Sequence, residues 1–182
     1  MNAPFLHGDL VSLRPLFHTD IGSTRYLSWL NDYEVTKYLG GVGVFPENDD
    51  SMERFFNDVV NSPDNVVMGI VDKSDDSHIG NIKLGPISWL HRRAELSIMI
   101  GEKDRWGKGF GTEATRLMVQ YGFNRLNLHK ITLGLFKEQF AGAKVYEKIG
   151  FEQEGVIKES HFIDGKWNDR IIMGILQKRF SC

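Results

Sequence analysis

Apolar and polar residues change their spacing several times along the chain, and each change marks an element. VSLRPL at residues 11–16 alternates as a short strand. Thr19 is placed to cap a helix carrying Ile21, Tyr26, Leu27 and Leu30, and NDYEVTKYLG at residues 31–40 predicts another short helix ended by Gly40 and Gly41. Asp50 and Glu53 have capping-box spacing. Met52, Phe55, Phe56, Val59 and Val60 follow at helical intervals, and Pro63 closes the segment. The period then changes: VVMGIVD (66–72), HIGNIKLG (78–85) and RAELSIMIG (93–101) predict three successive strands.

Helical spacing returns with Ala114, Leu117, Met118, Tyr121 and Gly122 on one face. KITLGLF (130–136) predicts a strand, and residues 139–149 a helix ended by Gly150. The last two strands are expected at 151–160 and 170–178, joined through Asp164-Gly165, a strong hairpin signal. The order predicts a mixed α/β (α+β) architecture: a mostly antiparallel sheet of six to seven strands flanked by helices. No repeat, low-complexity tract or linker interrupts it, so one domain over 1–182 is expected.

Composition narrows the function classes. With 22 Lys+Arg against 24 Asp+Glu, the charge gives no reason to expect direct nucleic-acid binding. Cys182 is the single cysteine, which excludes an internal disulfide and argues against a thiol nucleophile or a cysteine-ligated metal. The six histidines show no metal-ligand spacing, so no metal is expected. No apolar run approaches the ~18–20 residues that span a bilayer, and MNAPFLHGDL lacks a signal-peptide pattern. A soluble, cytoplasmic protein with no membrane partner is the expectation.

Candidate chemistry concentrates in DRWGKGFGTEA, where Gly107, Gly109 and Gly111 alternate ahead of a helix. Three glycines cost roughly 0.5–1 kcal/mol each relative to alanine, so the backbone there must turn left-handed or approach something bulky. A glycine-rich turn at a helix N-terminus presents several N–H groups in a positive potential, which suits a phosphate. Arg105 and Lys108 favour an anion further. The spacing is neither a Walker A loop nor a Rossmann fingerprint, and glycines serving only to turn a loop are the structural alternative.

WGKGFGTEA followed by QFAGAKVYEKIGF resembles the GNAT superfamily of acyl-CoA N-acyltransferases, nearest to its RimJ/RimL type. The element order over nearly the whole chain is similar to that fold, as are VSLRPL and WLNDYEVTKYLG. The resemblance implies acetyl-CoA as co-substrate, its pyrophosphate wrapped by Arg105, Trp106, Gly107, Lys108, Gly109, Phe110, Gly111 and Thr112. Trp106 stands where the family usually has Gln or Arg. Main-chain N–H groups of Ile98, Met99 and Ile100 would polarise the thioester carbonyl. Gln139 and Gly142 fall at the family's Asn and Ser/Ala positions beside the pantetheine arm, and Tyr146 at the general acid that protonates the leaving thiolate.

Glu95 lies on the strand that the resemblance places beside the thioester, and alternation puts it on one face with Ser97 and Met99. It is the candidate base, acting through water, or else a carboxylate paired with Arg92, Arg93 or Lys83. Tyr146 equally fits a core position. Without an internal cysteine, direct transfer in a ternary complex is expected. The acceptor is a primary amine, on a small molecule such as an amino sugar or at a protein N-terminus of the ribosomal-protein type. Trp29, Tyr33 and His161 are candidate acceptor contacts, with Asp32, Glu34, Asp164 and Asp169 available to attract a cation. A non-catalytic acyl-CoA sensor and a nucleotide-binding protein remain as rivals. A C-terminal edge strand could also pair in a homodimer.

Overall fold

Runs of β-branched and aliphatic residues build the middle of the sheet, where both faces are covered. These are β4 (Val66–Asp72), β5 (Ser77–Leu84), β6 (Arg93–Ile100) and β7 (Lys130–Phe136). The computed structural model describes residues 3–136 and 140–180. Flanking strands are β1 (Leu6–His7) and β2 (Val11–Pro15) on one side, β8 (Glu152–Ile163) and β9 (Lys166–Leu176) on the other. They join one eight-stranded sheet in the order β1-β2-β4-β5-β6-β7-β9-β8. Every neighbouring pair is antiparallel except β6 and β7, which run parallel. The two-residue β1 takes the sheet past the six to seven strands expected. A separate short strand, β3 (Gly40–Gly43), lies outside it.

Helices cover both faces. α5 (Phe110–Asn124) and α6 (Phe140–Ile149) bury Ala114, Met118, Val119, Phe123, Ala143 and Ile149 against Leu13, Ile70, Ile82, Leu96, Ile131 and Leu133. On the other face α1 (His18–Ile21), α2 (Thr24–Leu30), α3 (Tyr33–Thr36) and α4 (Asp49–Phe55) pack Ile21, Tyr26, Trp29, Leu30 and Met52 onto Val67 and Met99. Each such fully buried aliphatic side chain contributes roughly 1.5–3 kcal/mol through removal from water. Alternation along β6 distributes Leu96 to the first core and Met99 to the second.

Several helix starts differ from the sequence expectation. Thr19 lies within α1 and caps nothing. Ser23 opens α2 by accepting from Tyr26 N at 3.1 Å. Asn48, not Asp50, caps α4: its Oδ1 accepts from Ser51 N at 3.0 Å, and Ser51 Oγ accepts from Asn48 N at 2.9 Å. Beyond Phe55 the helix widens into a π-turn over Phe56–Val60, which keeps Phe55, Phe56, Val59 and Val60 on the second core. Gly40 and Gly41 open β3, because α3 has already ended at Thr36. At the C-terminal hairpin the structure follows the sequence closely: Asp164 and Gly165 take φ of +50° and +74°, the two positive values a tight I′ turn needs.

One carboxylate ties the N-terminal corner to α5. Glu113, in the first turn of that helix, accepts from the main-chain N–H groups of Asp9, Leu10 and Val11 at 2.9, 2.8 and 2.7 Å. Glu113→Ala should leave three donors without this acceptor and lower unfolding free energy by roughly 1–3 kcal/mol. Urea denaturation measures it, and Glu113→Gln, which still accepts at one oxygen, should lose less.

Candidate active site

The parallel pair β6–β7 holds its register for only three residue pairs: Arg93 with Lys130, Ala94 with Ile131 and Glu95 with Thr132. Past Glu95 the two strands part. Gly85 N donates to Glu95 O at 2.8 Å, so Glu95, Ser97 and Met99 exchange main-chain bonds on the β5 side. Leu96, Ile98 and Ile100 therefore turn their N–H and C=O groups toward β7, and all but the Leu96 N–H, which completes the Glu95–Thr132 pairing, face the gap. Ile98 and Ile100 thus sit where a carbonyl could be polarised. Met99 does not, since its main chain faces β5 and its side chain the second core.

The glycine loop follows directly. A 3₁₀ turn at Lys103–Arg105 leads to Trp106, whose indole Nε1 donates to Ile100 O at 2.8 Å. Trp106, at the position where the resemblance expects a polar side chain, still donates a hydrogen bond, here to the exposed edge of β6. Gly107 and Gly109 adopt φ of +72° and +92°, a region that costs an L side chain about 1–2 kcal/mol. Gly109 is the N-cap of α5 and supplies no side-chain cap, so the N–H groups of Phe110, Gly111 and Thr112 precede the helix's first internal bond, Glu113 N to Gly109 O. A Cβ at Gly111 would meet only Ile100 and Ile98, both at 3.8 Å, and one at Gly107 would meet nothing within 4 Å. The protein leaves this space open and aims main-chain donors at it, which fits a diphosphate.

The two basic residues behave differently. Lys108 is exposed on the loop. Arg105 is turned away: its guanidinium meets Asp75 at 2.7 Å and Asp72 at 3.3 Å, bracing the loop against the β4–β5 turn. Its role is to hold the loop's shape, since both carboxylates occupy the charge that was expected to face an anion.

A cavity of about 800 Å³ opens between the parted strands and runs beneath α2 and α4. Glu95, Ile98, Met99, Tyr146 and His161 all line it, joined by Tyr38, Phe136 and Arg170. Tyr146 is held edge-on to Phe151 with centroids 5.9 Å apart, and burial pushes its phenol above the ordinary range. His161 packs edge-on to Phe136 at 4.8 Å. Glu95 is paired, but with neither Arg92, Arg93 nor Lys83: Arg170 Nη2 on β9 donates to its Oε1. Tyr26 and Asn81 form part of the wall, with Asn81 Nδ2 donating to Tyr26 Oη at 2.6 Å and Asn81 Oδ1 3.0 Å from His78 Nε2. Burial raises the Tyr26 phenol and lowers the His78 imidazole, so both stay neutral at pH 7.

Two expected acceptor contacts stand elsewhere. Trp29 is 5% exposed in the second core, its Nε1 donating to Glu102 at 3.0 Å, and it does not line the cavity. Tyr33 donates its hydroxyl to Asp164 Oδ1 at 2.7 Å, tying α3 to the hairpin tip. The four carboxylates expected to draw a cation are engaged locally: Asp32 by Lys103, Glu34 by Lys37, Asp164 by Tyr33 and Asp169 by Lys158. The carboxylates on the cavity wall are instead Glu47, Asp58 and Glu95, with Arg54, Lys83 and Arg170 on the same surface. Gln139 lies outside the described residues, and so do the surroundings of Gly142, which sits within α6. Among the described residues no group of three or more His, Cys, Asp or Glu could hold a metal ion, and no helix is long and apolar enough to cross a membrane.

Comparison with known proteins gives this geometry a setting. An acetyltransferase (GNAT) domain matches residues 11–152. The chain is 34% identical over 173 residues to the spermidine N(1)-acetyltransferase of Escherichia coli K12, covering 93% of this chain and 88% of that one. It is 32% identical over 178 residues to a probable N-acetyltransferase of Bacillus subtilis 168, YjcK, covering 85% of this chain and 95% of that one. The crystal structure of spermidine N-acetyltransferase from Vibrio cholerae, in complex with CoA and spermine, superposes with a TM-score of 0.85. There the identity is 29%, over 94% of this chain and 98% of that one. The domain match runs from the start of β2 to the start of β8 and takes in both the glycine loop and the parted strands. The chain therefore belongs to the GNAT acetyltransferase family and is an acetyl-CoA-dependent N-acyltransferase.

Proposed function

We propose that the acceptor is a primary amine on a small molecule, with a polyamine the first candidate, and that Glu95 and Tyr146 carry the proton transfers. The observation behind this reading is that both side chains line one cavity at the opening between β6 and β7, beside the glycine loop. Acetyl-CoA supplies the acyl group as a thioester. An alkylammonium has a pKa near 10 and must lose a proton before its nitrogen can form the new C–N bond. Glu95 takes that proton, directly or through one water. As the C–S bond breaks, Tyr146 gives its phenolic proton to the departing sulfur, and the extra proton shed by the newly acylated nitrogen restores the phenol. The N–H groups of Ile98 and Ile100 face the gap where negative charge develops on the carbonyl oxygen.

Glu47 and Asp58 on the cavity wall offer carboxylates to a second cationic centre of the acceptor. Arg54 and Lys83 share the same wall, so the favourable positions for a cation are confined to the neighbourhood of the carboxylates. The spermidine acetyltransferases of Escherichia coli and Vibrio cholerae support the same acceptor class. A protein N-terminal amine, the acceptor of a RimJ/RimL-type enzyme, is the competing assignment.

Thiol release from acetyl-CoA should be fastest with spermidine or spermine in a panel that includes amino sugars and N-terminal peptides. Release confined to peptides would overturn the small-molecule acceptor. Glu95→Gln and Tyr146→Phe should each lower turnover by about 10²–10⁴-fold, the range for general acid–base groups. Because burial raises the Tyr146 phenol, the acid stays protonated through neutral and mildly alkaline pH. A pH–rate profile should show no loss of that proton below about pH 10. An alkaline limb below pH 9 that disappears in Tyr146→Phe would contradict this. Gly109→Ala, forced to hold φ near +92°, should weaken acetyl-CoA binding about tenfold in calorimetry, in line with ~1–2 kcal/mol of left-handed strain.

A further inference from the structure

We propose that Arg170 is a positioning residue for Glu95, and that Gly134 is glycine so that Arg170 can reach it. The inference rests on the reading of Glu95 as the base. β7 lies between β6 and β9, so Glu95 and Arg170 stand two strand spacings apart, roughly 9–10 Å across the sheet. Glu95 is in register with Thr132, and Arg170 with Phe136. Thr132, Gly134 and Phe136 share one face of β7, so the arginine must cross that face between Thr132 and Phe136. It crosses at Gly134, where a Cβ would overlap the Arg170 guanidinium. All three residues, Glu95, Gly134 and Arg170, line the cavity.

Stability alone does not account for this arrangement. The side chains of Glu95 and Arg170 are 45% and 29% exposed, and pairs in such contact with solvent add little to folding. Glycine in a strand interior, meanwhile, weakens the sheet. What the pair does provide is a fixed carboxylate. Arg170 Nη2 engages Oε1, restricting the Glu95 rotamers at the mouth of the gap, and Oε2 is the oxygen left to take the ammonium proton. One charge-assisted contact thus places a flexible base at the last residue pair before β6 and β7 part.

The test is a set of variants assayed with acetyl-CoA and the fastest amine of the panel, starting from spermidine, with melting temperature checked alongside. Arg170→Ala should lower kcat tenfold or more while both KM values stay within twofold, and Arg170→Lys should recover part of the loss. Gly134→Ala keeps both charges yet displaces the guanidinium, so it should lower kcat in the wild-type background and change it less than twofold in Arg170→Ala. The proposal is overturned if Arg170→Ala leaves kcat within twofold. It is also overturned if that variant raises only the acceptor KM, which would make the guanidinium an acceptor-binding group, or if Gly134→Ala costs as much without Arg170 as with it. A normal rate in Glu95→Gln would sink the base assignment and this inference together. A large loss in Glu95→Gln beside a normal rate in Arg170→Ala would sink this inference alone.

Discussion

The sheet depends on one broken ladder. β6 and β7 are the sole parallel neighbours among the described strands, and they stay bonded for only three residue pairs. A parallel pair buried in the middle of a sheet would ordinarily continue, because unpaired main-chain groups in the interior are expensive. Here the interruption leaves the C=O of Leu96 and the N–H and C=O groups of Ile98 and Ile100 facing a cavity, and one of them, Ile100 O, is answered by the Trp106 indole. The polar edge that would destabilise a closed sheet becomes the surface on which an extended acyl donor can lie. Flanking antiparallel pairs on both sides, β5 with β6 and β7 with β9, keep each strand fixed where the two diverge.

Charge is arranged to hold that geometry still. Arg105 ties the glycine loop to Asp72 and Asp75, and the two ion pairs restrain the loop's shape. Trp29 and Glu102 anchor the start of the same loop from the second core. Exposed and bracing basic residues are therefore interleaved within a few positions: Lys108 faces solvent while Arg105, three residues earlier, serves the scaffold. The distinction lies entirely in which carboxylates the tertiary fold brings near.

What the sequence made legible follows from range. β4 and β7 were readable to the residue, because seven apolar-rich positions bounded by turn residues admit few other readings. The glycine loop was readable because positive φ at Gly107 and Gly109 is a local demand. The helices over 18–36 were not. Gly22 and Ser23 divide an apolar pattern that periodicity alone would join, and Asn48 competes with Asp50 as a cap two residues away. In the site, Glu95, Tyr146 and His161 were found on the cavity wall. Trp29 and Tyr33 were misplaced because aromatic character signals burial and contact alike. Arg170 was not foreseen at all: its partner is 75 positions away, and the pairing exists only because β9 returns beside β7. Its one trace in the sequence was Gly134, an unexplained glycine in the middle of KITLGLF.

The clamp made by Glu113 has a consequence for the order in which the molecule is completed. β1 and β2 are made before two of the groups that hold them: β4, and the carboxylate of a residue 102 to 104 positions downstream of the turn at Asp9–Val11. β2 can pair with β1 at once, but its other neighbour, β4, must first be made, and the turn at Asp9–Val11 gains its carboxylate acceptor only with Glu113, after Lys73, which donates its own N–H to Leu10 O. The N-terminal corner is therefore completed in stages, pairing first within itself, then with β4, and closing only when the helix that bears Glu113 has emerged.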